Sequence, residues 1–478
     1  MDKTSTIRRI DISMAQYDVV IIGSGPGGEV AALRAVQLGL KVAVVEKEQV
    51  GGVCLNIGCI PTKSLLHCAD LLEETKEGKK FGVITGEVSF DLKGAMGHKE
   101  KVVKTMRTGL EGLFKKKKID LFRGFGRLAG TNKVAVKGND GTETVIETKN
   151  VILAVGSTPR ALPFAPFDEQ RIVSSTGALS LPEVPKHLVV IGGGIIGCEF
   201  ASMYRTFGSQ VSIIEMLPRI VATEDEEISA ELAKAFTKRG IKLYTGSKTK
   251  AVNKRADGAS VVFEGPDGKE QTLEADYVLI GTGRAPLTKN IGLEEVGVTI
   301  DERGYIPVNA TMQTNIANIY AIGDVVPTPW LAHVASAEGV IAVEHIAGHH
   351  TNPINYDIIP SCVYCSPEVA HVGLTEAQAK ERGYNVKVGK FPFAAVGKAT
   401  AIGNRDGFVK IVADAEYGEI LGFHMIGPRV TELVAEGGLA LSHEATVESL
   451  LATIHAHPTL YEAMHEAGHA LLDGTLHL

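Results

Sequence analysis

Two cysteines, Cys54 and Cys59, lie five positions apart in the stretch GGVCLNIGCIPTKS. On a regular helix this offset would separate their Cα atoms by roughly 8–9 Å, which is too far for a disulfide. The backbone between them is therefore expected to be irregular, and Gly58 permits this. Pro61 suits the first turn of a following helix, so Cys59 is predicted to lie near a helix N-terminus, where a thiolate is favoured. A redox-active pair would use these features, but an inert disulfide or two buried free thiols would fit the same residues.

A second group that could do chemistry lies in the C-terminal stretch HAHPTLYEA. His457 is followed by Pro458, and Glu462 comes five residues after the histidine. An imidazole that is oriented by a carboxylate is the arrangement that a general base needs. Taken alone, the pattern favours a plain His-Pro turn at a helix N-terminus, because the chain has 15 histidines and several are close by.

A glycine motif that could position a cofactor follows the buried-strand pattern YDVVII. Gly23, Gly25 and Gly28 form G-x-G-x-x-G, a helical pattern follows, and a second apolar strand ends at Glu46. In this context the glycines let backbone N–H groups approach a pyrophosphate, and the acidic residue can accept hydrogen bonds from ribose hydroxyls. The sequence therefore predicts a dinucleotide-binding fold near the start of the chain.

The same pattern occurs a second time. Gly192, Gly194 and Gly197 follow the strand pattern HLVVI, and the next strand ends at Glu215. In both motifs the acidic residue comes 23 positions after the first glycine, and each region later has a strand with a Gly-turn-Pro exit, VILAVGSTP and VLIGTGRAP. Two dinucleotide-binding domains are therefore predicted. The first has extra residues before its exit strand, and the cysteine stretch lies among them, which places it beside the predicted cofactor.

Composition limits the remaining possibilities. The 478 residues are 44% hydrophobic and carry a net charge of −7, which indicates a globular protein and argues against an electrostatic nucleic-acid binder. The sequence has no apolar run long enough for a membrane span, and its start lacks the apolar core of a signal peptide, so a cytoplasmic protein without membrane contact is expected. Six cysteines are too few for a disulfide scaffold in a chain of this length, so paired cysteines are more often catalytic.

Three further segments complete the predicted organisation. Residues 94–118 have apolar side chains at helical spacing, and the strand pattern NIYAIGDV breaks just before Asp324, which could bind cofactor hydroxyls or cap a turn. From about residue 356, strand patterns broken by turns indicate a separate α+β domain. Cys362 and Cys365 have C-x-x-C spacing there, but no second ligand pair follows, so no metal site is predicted.

Together the doubled glycine motifs and the stretches GGVCLNIGCIPTKSLLH, YAIGD, LAHVASAEG, PSCVYCSPEVAHVGLTE and HAHPTLYEA resemble the pyridine nucleotide-disulfide oxidoreductase family, and within it most closely the dihydrolipoyl dehydrogenases. The resemblance begins at about Tyr17, so the first sixteen residues would precede the fold. It implies an α/β fold with two Rossmann-like dinucleotide-binding domains, for FAD and NAD, a central domain and a C-terminal α+β dimerisation domain. The implied limits are 1–158 for the FAD domain with its redox disulfide, 159–286 for the NAD domain, 287–355 for the central domain that completes the FAD site, and 356–478 for the interface domain.

The resemblance also implies roles for individual residues. Cys54 would be the interchange thiol that reacts with substrate sulfur, and Cys59 would be the flavin-proximal thiol. The other implied catalytic residues are Lys63 near the flavin N5, its partner Glu199, and His457 acting across a dimer interface with Glu462 to orient it. The implied cofactor-binding residues are Gly23, Gly25, Gly28, Glu46 and Asp324 for FAD, Gly192, Gly194, Gly197 and Glu215 for NAD, and Lys63, Ala332 and Gly283 as further cofactor contacts.

The implied activity is the reoxidation of dihydrolipoamide with reduction of NAD⁺ to NADH, in a homodimer that serves the lipoyl domains of a 2-oxo acid dehydrogenase or glycine cleavage complex. Glutathione reductases are the nearest alternative, but they use NADP and carry basic residues where this chain has Glu215 and Met216. Mercuric reductases carry a C-terminal cysteine pair, whereas no cysteine follows Cys365. Soluble transhydrogenases lack the redox pair. A mainly structural role as a docked subunit is the alternative from another class.

Overall fold

The computed structural model describes residues 11–478, which divide into two compact units. The first unit consists of the described residues up to Thr62, together with Gly97–Pro159 and Arg284–Tyr356. The second unit consists of Lys63–Met96, Arg160–Gly283 and Asp357–Leu478.

The described residues form both strands and α-helices. The strands are β1 (Asp11–Ile22), β2 (Val42–Glu46), β3 (Asp120–Gly130), β4 (Lys133–Gly138), β5 (Glu143–Leu153), β6 (Ser157–Pro159), β7 (Ile172–Val173), β8 (His187–Ile191), β9 (Gln210–Ile214), β10 (Ile241–Tyr244), β11 (Lys248–Lys254), β12 (Ala259–Glu264), β13 (Glu270–Ala275), β14 (Tyr277–Ile280), β15 (Arg284–Pro286), β16 (Ile319–Ala321), β17 (Ser361–Val363), β18 (Glu368–Gly373), β19 (Val386–Pro392), β20 (Phe408–Asp414) and β21 (Ile420–Gly427). The α-helices are α1 (Pro26–Gln37), α2 (Gly52–Ile57), α3 (Cys59–Glu77), α4 (Leu92–Lys116), α5 (Ser175–Ala178), α6 (Ile195–Phe207), α7 (Glu226–Lys238), α8 (Leu293–Val296), α9 (Ala332–Ile346), α10 (Glu376–Glu381), α11 (Gly397–Ala401), α12 (Val430–Ser442), α13 (Val447–Ala452) and α14 (Glu462–His469).

The first unit is built on a doubly wound parallel sheet. β1 pairs in parallel with β2 and with β5, β2 pairs in parallel with the start of β3, and β16 adds to β5. The order is therefore β3-β2-β1-β5-β16. β4 extends the sheet by pairing antiparallel with the second half of β3 and with the first half of β5. Strand order reverses beside β1, and ligands of such sheets bind at the carboxyl ends of the strands at that point. The loop that begins at Gly23 leaves β1 there.

The amino-terminal part of β1 lies outside the region that the sequence pattern identified. The backbone of residues 11–13 pairs in parallel with residues 144–146 of β5, because the amino-terminal part of β5 offers backbone groups along that edge. The prediction that the first sixteen residues precede the fold is therefore wrong for residues 11–16. The first ten residues lie outside the described part of the chain.

The second unit contains a parallel sheet of the same kind. Its order is β10-β9-β8-β14-β7, and all four pairings are parallel. The antiparallel strands β11, β12 and β13 are inserted between β10 and β14, at the place where the first sheet carries its extension. The prediction of two dinucleotide-binding folds is confirmed.

The remainder of the second unit is an antiparallel sheet with the order β17-β18-β21-β20-β19. Apolar side chains of β18, β20 and β21 form one core with residues of α12 and α14. The prediction of an α+β region after residue 356 is confirmed, as is the helix over residues 94–118, which forms as α4.

Two kinds of feature that the described residues lack bear on function. Among residues 11–478, no helix combines the length and the apolar composition that crossing a bilayer requires. Within the same range, no group of three or more His, Cys, Asp or Glu side chains is placed to hold a metal ion.

Candidate functional site

The cysteine stretch folds as two helices separated by one residue. Gly58 has φ −141° and ψ −113°, which ends α2 and lets α3 begin at Cys59. A Cβ at Gly58 would lie 2.9 Å from the Val53 carbonyl oxygen, so a side chain there would clash with the preceding turn. Cys54 is half-buried on α2, and Cys59 is exposed at the first position of α3. The predicted irregular backbone and helix N-terminus are therefore confirmed.

Side chains brace this break. The Asn56 amide Nδ2 donates to the carbonyl oxygens of Val50 at 3.0 Å and Gly52 at 2.9 Å. The Thr62 hydroxyl donates to the Gly58 carbonyl at 2.7 Å. The start of α3 is thereby fixed, so that its positive dipole end lies at the Cys59 thiol.

The first glycine loop has open space where the pattern requires it. A Cβ at Gly28 would lie 2.0 Å from the Gly23 carbonyl oxygen, whereas nothing lies within 4 Å of a Cβ built at Gly25. Gly25 is the N-cap of α1, and no side chain caps that helix end. Ser24 donates to Glu46 through its N–H at 3.0 Å and its hydroxyl at 2.6 Å, so the buried carboxylate braces the loop.

The second glycine loop is constructed in the same way. A Cβ at Gly197 would lie 1.9 Å from the Gly192 carbonyl oxygen, and nothing lies within 4 Å of a Cβ at Gly194. Glu215 accepts from the Gly193 N–H at 2.6 Å and from the Leu217 N–H at 2.7 Å. Each loop therefore has a helix N-terminus beside open space that a side chain at the middle glycine would occupy, which fits the pyrophosphate of a dinucleotide.

The first unit also contains a cluster that sequence reasoning missed. Arg284 donates to Ser157 Oγ at 2.7 Å and to the Ser157 carbonyl at 2.8 Å, and the Ser157 hydroxyl donates to Asp324 Oδ2. Burial lowers the pKa of Arg284, and the charges of Asp324 and Cys59 oppose this effect. Ser157 and Arg284 lie in the two Gly-turn-Pro exits, which pair as β6 and β15. That repeat was the feature that could have identified them.

A buried carboxylate fixes the turn that carries Asp324. Glu338, on α9, accepts from the Gly323 N–H at 2.7 Å and from the Tyr356 hydroxyl at 3.1 Å. Burial raises the pKa of Glu338, and these donors oppose the rise. Glu338 was not predicted as a site residue, although it lies in the motif LAHVASAEG. Ala332 is the first residue of α9.

Lys63 and Glu199 form an ion pair within the second unit. The Lys63 Nζ lies 2.8 Å from Glu199 Oε1 and 2.9 Å from Oε2, which is the pairing that the resemblance implies. The Glu199 side chain is only 5% exposed. Its Oε1 also accepts from the backbone N–H of Tyr364 at 3.0 Å. In the same unit, Gly283 has φ +115° and its carbonyl accepts from Arg160 N.

His457 and Glu462 are also brought together within the second unit. His457 Nδ1 lies 2.7 Å from Glu462 Oε1, and Glu462 Oε2 accepts from the Thr459 N–H at 3.0 Å. Burial raises the pKa of Glu462, but the hydrogen bonds from His457 and Thr459 together outweigh this effect. The pKa of Glu462 therefore lies below its usual value. The imidazole is 78% exposed, so its second nitrogen is accessible to a group outside this chain.

The C-x-x-C pair differs from the first two cysteines. Cys362 is half-buried on β17, and Cys365 is buried after that strand. Burial raises the pKa of Cys362 to about 11 and that of Cys365 well above its usual value. Both thiols are therefore held in their unreactive form.

The two glycine positions of the second loop give a matched test. Ala at Gly194 fits the backbone, which is extended at φ −78°, but places a methyl group in the open space beside the helix N-terminus. We expect Gly194→Ala to fold normally and to raise the KM for NAD⁺ roughly 10- to 100-fold, the effect of losing one hydrogen bond to a charged group. Steady-state kinetics and thermal unfolding measure the two effects. Gly197→Ala should instead lower the unfolding temperature, and a normal KM in Gly194→Ala would contradict the pyrophosphate assignment.

Comparison with known proteins extends these observations. Residues 17–339 match the family model described as pyridine nucleotide-disulphide oxidoreductase, and residues 359–468 match the dimerisation domain of that family. The chain is 46% identical over 472 residues to dihydrolipoyl dehydrogenase of Bacillus subtilis (strain 168), an alignment that covers 97% of this chain and 99% of the relative. It is 45% identical over 466 residues to the mitochondrial dihydrolipoyl dehydrogenase of Pisum sativum, covering 97% and 93%.

A solved structure has the same fold. The crystal structure of LpdA from Mycobacterium tuberculosis superposes with a TM-score of 0.88 at 26% sequence identity, and the match covers 96% of this chain and all of that chain. The family models together span most of the sequence, and both glycine loops and the cysteine stretch lie inside the first of them. The chain therefore belongs to the pyridine nucleotide-disulphide oxidoreductase family.

Proposed function

We propose that this protein is a dihydrolipoyl dehydrogenase, which oxidises dihydrolipoamide and reduces NAD⁺ by means of FAD and the Cys54–Cys59 pair. The observation that carries the proposal is the break at Gly58, which places an exposed cysteine at a helix N-terminus in the same unit as the first dinucleotide loop. Relatives with this name are about 45% identical over nearly the whole chain, and this similarity supports the substrate.

The proposed chemistry begins with proton transfer at His457. In a homodimer, the exposed imidazole accepts a proton from a thiol of dihydrolipoamide at the partner subunit, and the ionised Glu462 stabilises the resulting imidazolium. The substrate thiolate attacks the Cys54 sulfur, the Cys54–Cys59 bond breaks, and Cys59 leaves as a thiolate. The second substrate thiol then attacks the substrate sulfur of the mixed disulfide, the bond to Cys54 breaks, and the proton of that thiol passes to the departing Cys54 sulfur, which releases lipoamide and leaves two reduced cysteines. Two electrons and two protons have moved from substrate to enzyme.

The electron pair then needs a carrier. Bound FAD supplies the two-electron relay between the cysteine pair and the nicotinamide of NAD⁺. We assign FAD to the loop of Gly23, Gly25 and Gly28, with Glu46 and Asp324 for its hydroxyls. The N-terminus of α3 favours the Cys59 thiolate during this transfer.

The second loop is proposed to bind NAD⁺ rather than NADP⁺. The Glu215 carboxylate would repel a 2′-phosphate and can accept a hydrogen bond from a free 2′-hydroxyl. Arg219, the nearest cation in sequence, is held by Glu226 Oε1 at 2.9 Å and by the Ala222 carbonyl at 3.0 Å. These two contacts compete with a phosphate group for the Arg219 guanidinium.

The setting of the enzyme is also part of the proposal. We assign the substrate to lipoyl domains of a 2-oxo acid dehydrogenase or glycine cleavage complex, the protein to a homodimer formed through residues 359–468, and its location to the cytoplasm. The matched dimerisation domain supports the homodimer. The domain limits given above are retained as part of the proposal.

The direct test is turnover by the purified protein. With dihydrolipoamide and NAD⁺, we expect NADH to form at a rate proportional to enzyme concentration, followed by its absorbance. Replacement of NAD⁺ by NADP⁺ should abolish most of the rate. With NADPH and glutathione disulfide as substrates, we expect no oxidation of NADPH. A folded, FAD-containing protein that forms no NADH would reject the proposal in favour of a structural subunit.

A further inference from the structure

Tyr364 contacts both members of the Lys63–Glu199 ion pair. The Lys63 Nζ lies over the face of the Tyr364 ring, 4.4 Å from its centroid. The backbone N–H of Tyr364 donates to Glu199 Oε1 at 3.0 Å, beside the two bonds that this carboxylate accepts from Lys63. One residue therefore holds the cation through its ring and the anion through its backbone.

The position of Tyr364 is itself fixed by its neighbours. Two residues further on, the Ser366 N–H donates to Ser202 Oγ at 3.0 Å, and the Ser366 carbonyl accepts from Arg239 at 2.6 Å. Ser202 lies one helical turn after Glu199 on α6. The segment after β17 is thus anchored to the helix that carries Glu199, so the ring has a defined place beside the ion pair.

The two side chains of the ion pair differ in exposure and in conformational freedom. The Glu199 side chain is 5% exposed and the Lys63 side chain is 34% exposed. A lysine has a flexible four-carbon stem, so a partly exposed ammonium keeps several positions unless a contact selects one. The negative face of an aromatic ring attracts the ammonium. At a partly exposed site, the free energy of this contact is equivalent to roughly a two- to five-fold change in an equilibrium constant.

We propose that Tyr364 is a positioning residue, which fixes the Lys63 ammonium and thereby sets the field that this cation supplies to the bound flavin. The inference rests on the proposed function, which assigns Lys63 to the flavin. The Tyr364 side chain acts through Lys63 alone, whereas the backbone N–H holds Glu199 whatever side chain stands at this position. Its hydroxyl is not required, because the contacts to the pair come from the ring face and the backbone N–H.

The test is the midpoint potential of the flavin in the holoenzyme, measured by anaerobic spectroelectrochemical titration. A Cys54→Ser/Cys59→Ser background leaves the flavin as the redox group that is titrated. Lys63→Gln removes a positive charge and should lower the potential, since reduction adds negative charge to the flavin. Tyr364→Leu should also lower the midpoint potential. The expected two- to five-fold decrease in the equilibrium constant for reduction corresponds to about 10–20 mV for a two-electron couple. Tyr364→Phe keeps the ring face and should match its parent.

Coupling separates a positioning role from a general structural one. Because Tyr364 acts through the ammonium, the variant with both Lys63→Gln and Tyr364→Leu should have the potential of Lys63→Gln alone. Tyr384→Leu, at an exposed tyrosine of the same unit, is the matched control. FAD content and circular dichroism establish that each variant is folded. If Tyr364→Leu loses FAD, Tyr364→Met provides a second side chain without a ring.

Two outcomes overturn the inference while the proposed function stands. One is a potential unchanged by Tyr364→Leu when Lys63→Gln lowers it. The other is a Tyr364→Leu effect that persists at full size in the Lys63→Gln background. If Lys63→Gln itself leaves the potential unchanged, the assignment of the ion pair to the flavin fails, and the inference fails with it.

Discussion

Cys59→Ser is expected to lower dihydrolipoamide turnover by roughly three orders of magnitude or more, because removal of one member of a covalent catalytic pair disables the whole unit. Cys54→Ser should cause a loss of the same size. Neither change should displace FAD, since the residues assigned to that cofactor lie on the first glycine loop and at Asp324. The measurements are NADH formation and the flavin absorbance of the purified variants.

The two serine variants should differ in their spectra. With Cys54 replaced, Cys59 stays a thiolate at the N-terminus of α3 and should give a long-wavelength absorbance with the flavin. With Cys59 replaced, this band should be absent even after two-electron reduction. Cys68→Ser is the matched control, because Cys68 is half-buried further along the same helix and burial raises the pKa of its thiol. Turnover that survives in either variant, or that falls equally in Cys68→Ser, would refute the assignment of the pair.

His457→Gln is expected to lower kcat by about 10²- to 10⁴-fold, the range that loss of a general acid–base group produces. Glu462→Gln keeps the shape of the partner but removes its charge, so the imidazolium loses its stabilisation and a smaller loss, roughly 10- to 100-fold, should follow. Steady-state kinetics with dihydrolipoamide and NAD⁺ measure both effects.

Non-additivity tests whether the two side chains act together. If Glu462 acts only through His457, the double variant should be no slower than His457→Gln alone. His443→Gln, at an exposed histidine of the same unit, controls for the loss of an imidazole. Full activity in His457→Gln, or independent multiplicative losses in the double variant, would show that the observed hydrogen bond has no catalytic role.

Local features of this fold were predictable because they depend on residues close together in the chain. The glycine loops could be predicted from the spacing of three glycines within six residues. The break before α3 could be predicted from Gly58 and Pro61. In each case one backbone conformation is accessible to few residue types, so the residue type carries the information.

Other features depend on pairs that no local rule specifies. The contact of Ser157 with Arg284 and Asp324 joins three segments that are distant in the sequence. Tyr364 and Lys63, whose side chains are in contact, are also far apart in the sequence. Periodicity indicates which face of an element is buried, but it does not indicate which polar side chains meet across a turn. The early start of β1 was missed for a similar reason, since only the neighbouring strand supplies the partners that make residues 11–16 a strand.

The last strand of the first parallel sheet, β16, begins at Ile319 and pairs with β5, which ends at Leu153. The whole of β6–β15 is translated between them. During synthesis, the amino-terminal nucleotide fold therefore leaves the ribosome with one edge uncovered and gains its final strand only when about two-thirds of the polypeptide has been made. Asp324, which we assign to the flavin, follows β16, so the proposed cofactor site is complete only after that point, and a fragment that stops short of β16 would keep a bare edge that invites aggregation.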